Sequence, residues 1–152
     1  MKELIIYTDG GCKGNPGVGA WAFVMYNKDN LITEQSSGVL YTTNNQMELT
    51  AVIVALRTCL TVNPENIIVN TDSQYVKNGI TKWVHNWKIN GWKTANKKPV
   101  KNMELWIALD NLNSQLNVTY KWVKGHAGVD LNERCDTLVN IEMDNLIKNE
   151  KR

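Results

Sequence analysis

The hydrophobic pattern changes period several times along the chain, and each change predicts an element. Residues 3–8 run apolar into Asp9, Gly10 and Gly11, which reads as a buried strand breaking into a glycine-rich turn. Residues 19–28 and 31–41 read as two more strands, with a hairpin turn at residues 27–30. Connections this short make the first three strands antiparallel neighbours. At residue 44 the period lengthens. Leu49, Val52, Ile53, Leu56 and Leu60 form one stripe of a helix over 44–60, which Asn44 or Asn45 can cap. Residues 66–71 return to a short apolar strand closed by Asp72 and Ser73. Strand, helix, strand implies a right-handed crossover and a parallel pair.

Beyond that strand, residues 74–113 read as short helical segments broken at Gly79, Gly91 and Pro99, the clearest being 102–113. Residues 118–123 make a fifth strand. A loop from Lys124 to Asn132 leads into a final helix over 131–148, with Leu131, Cys135, Leu138, Val139 and Leu146 on one side. The expected fold is α/β: a five-stranded mixed sheet, three antiparallel strands then two parallel, flanked by helices. No repeat or linker divides residues 1–152, so a single domain is expected.

Composition narrows the class. With 152 residues, 43% of them hydrophobic and 21% charged, the chain is long enough to bury a core and is not of disordered composition. No apolar run reaches about 18 residues, so no membrane span is expected. The N-terminal apolar stretch is too soon interrupted for a signal peptide, and a cytoplasmic protein, monomeric by default, is expected. Cys12, Cys59 and Cys135 are too few and too widely spaced for a disulfide framework or a zinc pattern. The net charge of +2 conceals an uneven distribution. Lys82, Lys88, Lys93, Lys97, Lys98 and Lys101 fall in a stretch from 82 to 102 that holds no acid, so the rest of the chain is net acidic. An acidic body carrying a basic patch suits a polyanion ligand.

Four acids stand out by position. Asp9 and Asp72 follow the first and fourth strands, where ligands of open α/β sheets gather. Glu48 lies in the first turn of the long helix and Asp136 on the last helix. Each has a structural alternative: Asp9 as a turn residue, Asp72 as a helix cap, Glu48 and Asp136 as solvated acids beside an apolar stripe. Together they describe something else. Unpaired carboxylates in one place repel and take up protons unless a cation intervenes. Oxygen ligands without a His or Cys cluster suit Mg2+, with Mn2+ as substitute. Two such ions about 4 Å apart would clamp both oxygens of an in-line phosphoryl transfer.

Five segments then carry a resemblance. Residues 8–17, 42–49, 71–76, 122–128 and 132–136 resemble, in order and at matching spacing, the motifs of bacterial type I ribonuclease H. The resemblance implies a ribonuclease H-like fold and an endonuclease that cuts the RNA strand of an RNA–DNA hybrid. It makes Asp9, Glu48, Asp72 and Asp136 the metal-binding catalytic acids, holding two ions once substrate is bound. It makes His126 a histidine that handles protons or product release, a task suited to the near-neutral pKa usual for an imidazole. Cys12, Asn15, Asn44, Asn45 and Gln74 match positions at the hybrid's minor groove, where ribose 2′-hydroxyls tell RNA from DNA. Thr43 and Asn102 match a pocket for a DNA-strand phosphate. The lysine-rich stretch matches a basic protrusion, with Trp83 placed against a DNA-strand sugar and Trp87 and Trp92 packing on one another. Departures point to weaker hybrid binding: Tyr41 and Gln46 stand where the family often has arginine, and Ile89 and Asn90 where it is often basic. A non-catalytic hybrid-binding module and a related nuclease with a DNA substrate are the competing readings.

Overall fold

The computed structural model describes residues 2–28, 30–124 and 130–150. β1 (Glu3–Lys13), β2 (Gly17–Asn27) and β3 (Asn30–Thr42) are followed by α1 (Asn44–Val62), β4 (Asn66–Thr71), α2 (Gln74–Asn78), a π-helical turn (Gly79–Trp83), α3 (Val84–Ile89), α4 (Met103–Gln115), β5 (Val118–Trp122) and α5 (Asp130–Glu150). One sheet in the order β3-β2-β1-β4-β5 holds all five strands. β1, β2 and β3 pair antiparallel, while β1–β4 and β4–β5 pair parallel, the expected mixed topology.

Strand alternation sends side chains to two cores. Leu4, Ile6, Phe23 and Met25 pack beneath α1 and α4 with Leu49, Val52, Leu56, Trp106 and Leu109. Ala20, Ala22 and Val24 face α5 and its Cys135, Val139 and Met143. Burying a side chain such as Phe23 or Leu56 stabilises the fold by roughly 1.5–3 kcal/mol. No helix in the described residues is long and apolar enough to cross a membrane.

Several boundaries differ from the sequence expectation, each for a physical reason. β1 does not break at Gly10; Asp9, Gly10 and Gly11 continue it, paired with Ala22, Trp21 and Ala20 of β2. Thr43, not Asn44 or Asn45, caps α1: its hydroxyl accepts from the Gln46 backbone N–H while the Gln46 side chain accepts from the Thr43 N–H. Leu60 is 42% exposed, because Cys59 takes the inward position in the last turn of α1. Gly79 is not a breaker either. It has right-handed helical angles, and a methyl group there would lie 2.0 Å from the Trp106 ring. Its role is to admit that indole, so residues 74–89 run on as α2, the π turn and α3.

Candidate active site

The parallel ladder between β1 and β4 ends at the Thr8–Thr71 pair. Asp9 is the next residue of β1 and Asp72 directly follows β4, so the register sets them side by side. By alternation Asp9 shares the face of Tyr7 and Gly11, the one covered by α5. Gly10 looks the other way, onto α1. A methyl group there would sit 2.4 Å from the Glu48 backbone nitrogen. The bare glycine therefore lets the second turn of α1 lie directly on β1 and brings Glu48 to the strand. On the opposite face a methyl group at Gly11 would meet the Val139 side chain at 3.1 Å, so α5 also lies close. Neighbouring glycines thus admit one helix from each side.

Asp9, Glu48 and Asp72 each place a carboxylate oxygen within 4.8 Å of the others. Asp136, from α5, lines the same cavity of about 590 Å3. It stands outside the tight trio but close enough for its charge to act on Asp9. The alternative of Asp72 as a helix cap does not hold. Ser73 caps α2, its hydroxyl accepting from the Val76 N–H at 3.1 Å.

Two of the trio are buried where carboxylates are costly, and Asp72 is half-buried. Asp9 is 7% exposed and Glu48 5%. Burial first, then the charges of Asp72 and Asp136, push the Asp9 carboxyl from 3.8 up to about 7. Burial, then Asp9 and Asp72, hold Glu48 well above the usual carboxylate range. The Gly10 backbone N–H offsets this in part at both acids. Glu48 Oε1 is buried with no hydrogen-bond donor at all. A buried oxygen without a partner is an energetic loss that a divalent cation would convert into a ligand bond. An all-oxygen donor set of this kind fits a hard cation such as Mg2+ or Mn2+.

Half of the expected substrate-facing residues border this cavity. Cys12, Asn44, Asn45 and Gln74 line it. Cys12 Sγ donates to the Thr42 carbonyl at 3.2 Å, and Asn15 Oδ1 accepts from the Asn44 N–H at 3.0 Å, so the β1 end, the following loop and the α1 start are tied together. Thr43 and Asn102 are joined through Gln46, whose backbone N–H bonds Thr43 and whose Nε2 donates to Asn102 Oδ1 at 3.3 Å. Asn102 lines a second, smaller cavity of about 280 Å3 with Gln46 and Glu104.

Trp83, 37% exposed, begins an aromatic row in which it lies 5.9 Å from Trp87, and Trp87 lies 6.4 Å from Trp92. Mutual packing of these indoles stiffens the protrusion, as expected. Lys82, Lys88, Lys93, Lys97, Lys98 and Lys101 are all on its surface. Lys88 is ion-paired to Asp110 at 3.1 Å, so its charge is partly neutralised within the protein. His126 lies outside the described residues. Sequence reasoning gave no role to Gly10 beyond a turn, and none to Tyr75, which also lines the main cavity.

The chain is similar to known proteins. The family model for RNase H matches residues 1–143. A ribonuclease H of Ruthia magnifica is 53% identical over 147 residues, covering 96% of this chain and 99% of the relative. One of Hydrogenovibrio crunogenus is 52% identical over 146 residues, with 96% and 99% covered. Among solved structures, LC11-RNase H1 in complex with an RNA/DNA hybrid is 26% identical with a TM-score of 0.72, over 95% of this chain and 99% of that one.

Proposed function

The chain belongs to the ribonuclease H family, and from that premise we propose that it is an endonuclease hydrolysing the RNA strand of RNA–DNA hybrids with two divalent metal ions, leaving 5′-phosphate and 3′-hydroxyl ends. One observation carries the reading: three carboxylates converge, two of them buried and Glu48 Oε1 unpartnered, beneath a cavity rimmed by amide side chains. Asp9, Glu48, Asp72 and Asp136 would hold the ions, Mg2+ by preference and Mn2+ as substitute. When bound, the ions lower the pKa of the attacking water and stabilise the charge on the phosphorus centre and leaving oxygen.

The protein's own groups do the rest. The acids are held by β1, the turn after β4, α1 and α5. Asn44, Asn45 and Gln74 present amides that both donate to and accept from ribose 2′-hydroxyls, which a DNA strand lacks. Asn15 steadies Asn44 through its backbone. Asn102 and Thr43 would take a phosphate of the DNA strand, and the lysines of the protrusion its neighbouring phosphates. Trp83 packs against a sugar of that strand. His126 serves proton transfer or product release. We read residues 1–152 as one catalytic domain, monomeric and cytoplasmic, with a role in clearing RNA primers and R-loops. A pure binding module does not suit this floor, since buried acids under phosphates weaken binding unless cations are engaged.

The test is cleavage of end-labelled hybrid, duplex DNA and duplex RNA side by side, with Mg2+ and with EDTA. The reading expects the RNA strand of the hybrid alone to be cut, only with metal, into 3′-hydroxyl products that a polymerase extends. Equal cutting of duplex DNA, or cutting in EDTA, would overturn it.

A further inference from the structure

A chain of side-chain hydrogen bonds starts at buried Thr42, reaches the wall of the acidic cavity at Tyr75 and ends in the core. Thr42 Oγ1 donates to Gln46 Oε1 at 2.9 Å, and Gln46 Nε2 donates to Asn102 Oδ1 at 3.3 Å. Asn102 Nδ2 donates to the Tyr75 hydroxyl at 3.1 Å, which also accepts from Trp106 Nε1 at 3.1 Å. Trp106 is fully buried, so the far end of the chain is fixed. Tyr75 lines the acidic cavity, while Asn102 lines the second one. The phenol is thus the bond between two cavities. It also follows Gln74 directly and stacks edge-on against Trp83 at 5.8 Å.

Two features set Tyr75 apart from an ordinary core aromatic. Ring packing on Trp83 and Trp106 asks only for a phenylalanine, yet a hydroxyl is present and takes two N–H donors. Asn102 has left-handed backbone angles (φ 60°) at the start of α4 and makes no capping bond with its side chain. Its amide is therefore oriented by Gln46 on one side and Tyr75 on the other. Without the hydroxyl, one long contact at 3.3 Å would remain to hold it.

We infer that Tyr75 is a positioning residue for hybrid binding, which acts through Asn102 and couples the second cavity to the Asp72–Gln74 turn. This rests on the hybrid-cleaving reading above. Tyr75 touches none of the reacting atoms in this scheme, so its loss weakens binding and leaves the chemical step intact.

Steady-state cleavage of a labelled hybrid with Mg2+ tests this on Tyr75→Phe, Asn102→Ala and the double variant, each confirmed folded by near-ultraviolet circular dichroism. Tyr75→Phe is expected to raise KM about tenfold with kcat within about twofold, the loss of one oriented hydrogen bond. In the Asn102→Ala background, whose KM is already raised, the Tyr75→Phe increment should vanish, because the two act as one unit. Trp106→Phe removes the other donor to Tyr75 and leaves Asn102 bonded, so it should lower thermal stability without raising KM. Gln46→Met cuts the chain on the far side of Asn102 and should raise KM like Tyr75→Phe; it keeps the inference testable should that variant not fold. An unchanged KM in Tyr75→Phe or Gln46→Met, a full increment in the Asn102→Ala background, or an equal KM rise in Trp106→Phe would overturn the coupling. A wild type that leaves hybrids uncut would overturn the substrate reading as well, whereas an active wild type with an unaltered Tyr75→Phe overturns the inference alone.

Discussion

Replacing Asp9 by asparagine should make the metal-free protein more stable while abolishing its activity. The sign follows from linkage. A carboxyl whose folded value is raised from 3.8 to about 7 binds more protons in the folded than in the unfolded state between those limits. Stability contributed by the neutral acid is complete below about pH 4 and is lost as pH rises through 7. Carrying a carboxyl over that interval corresponds to about 4 kcal/mol against the fold at pH 8. Asparagine keeps the shape and removes the charge. It also weakens the bond from the Gly10 N–H and frees Glu48 and Asp72 of one like charge, so a net gain of roughly 1–3 kcal/mol is expected. For a chain of this size that is about 3–10 °C in Tm. The assay is thermal unfolding in EDTA from pH 5 to 8.5. Wild type should lose stability across this range, Asp9→Asn should lose less, and the variant should melt higher at pH 8. Adding Mg2+ should raise the wild-type Tm by binding the folded state and leave the variant nearly unmoved. A variant that melts no higher than wild type at pH 8 in EDTA, or a wild-type Tm flat from pH 5 to 8, would refute the account of a strained, buried cluster.

Three further outcomes are expected. Gly10→Ala forces a methyl group to 2.4 Å from the Glu48 backbone, so it should destabilise the fold by about 1–3 kcal/mol in urea titration and cut Mg2+-dependent cleavage at least about tenfold. Replacing Lys97, Lys98 and Lys101 together by alanine should raise KM and lower the slope of log KM against log salt by about 2–3, with kcat little changed. His126→Ala should slow turnover at least about tenfold at saturating hybrid without eliminating it, measured in single-turnover and steady-state cleavage.

The mixed sheet, the helix placement and the prominence of Asp9, Glu48 and Asp72 were legible because each rests on a periodic or positional signal. Leu4, Ile6, Phe23 and Met25 announce strands by alternation, and Leu49, Val52, Ile53 and Leu56 announce a helix. What stayed hidden depends on partners distant in sequence. Gly10 reads as a turn because glycine usually punctuates. It lies instead in mid-strand, and its value is the space it leaves for Glu48, 38 positions later. Gly79 misleads in the same way, since its reason is the Trp106 ring. Asn44 and Asn45 are good capping residues, but Thr43 wins because Gln46 completes a reciprocal pair with it. Tyr75 stands inside a motif whose acid draws the eye. Only the folded chain shows its hydroxyl between Asn102 and Trp106.

The acids and the proposed recognition groups differ in what holds them, and this divides the effects of mutation. Asp9 lies in a strand paired on both sides, Asp72 follows directly from one, and Glu48 rides on a helix seated against bare glycine. Such elements move little, so like charges stay close although they repel. The strain is retained by the surrounding core, and the proposed cations would relieve it. Asn44, Asn45, Gln74 and Asn102 stand instead at helix starts, where Asn15 holds Asn44 only through its backbone and Gln46 and Tyr75 hold the Asn102 amide. Changes to the first group should therefore alter folding stability and its dependence on pH and metal together with turnover. Changes to the second should alter KM with little effect on unfolding, so plotting the two quantities for one panel of variants separates the groups without any assumption about mechanism.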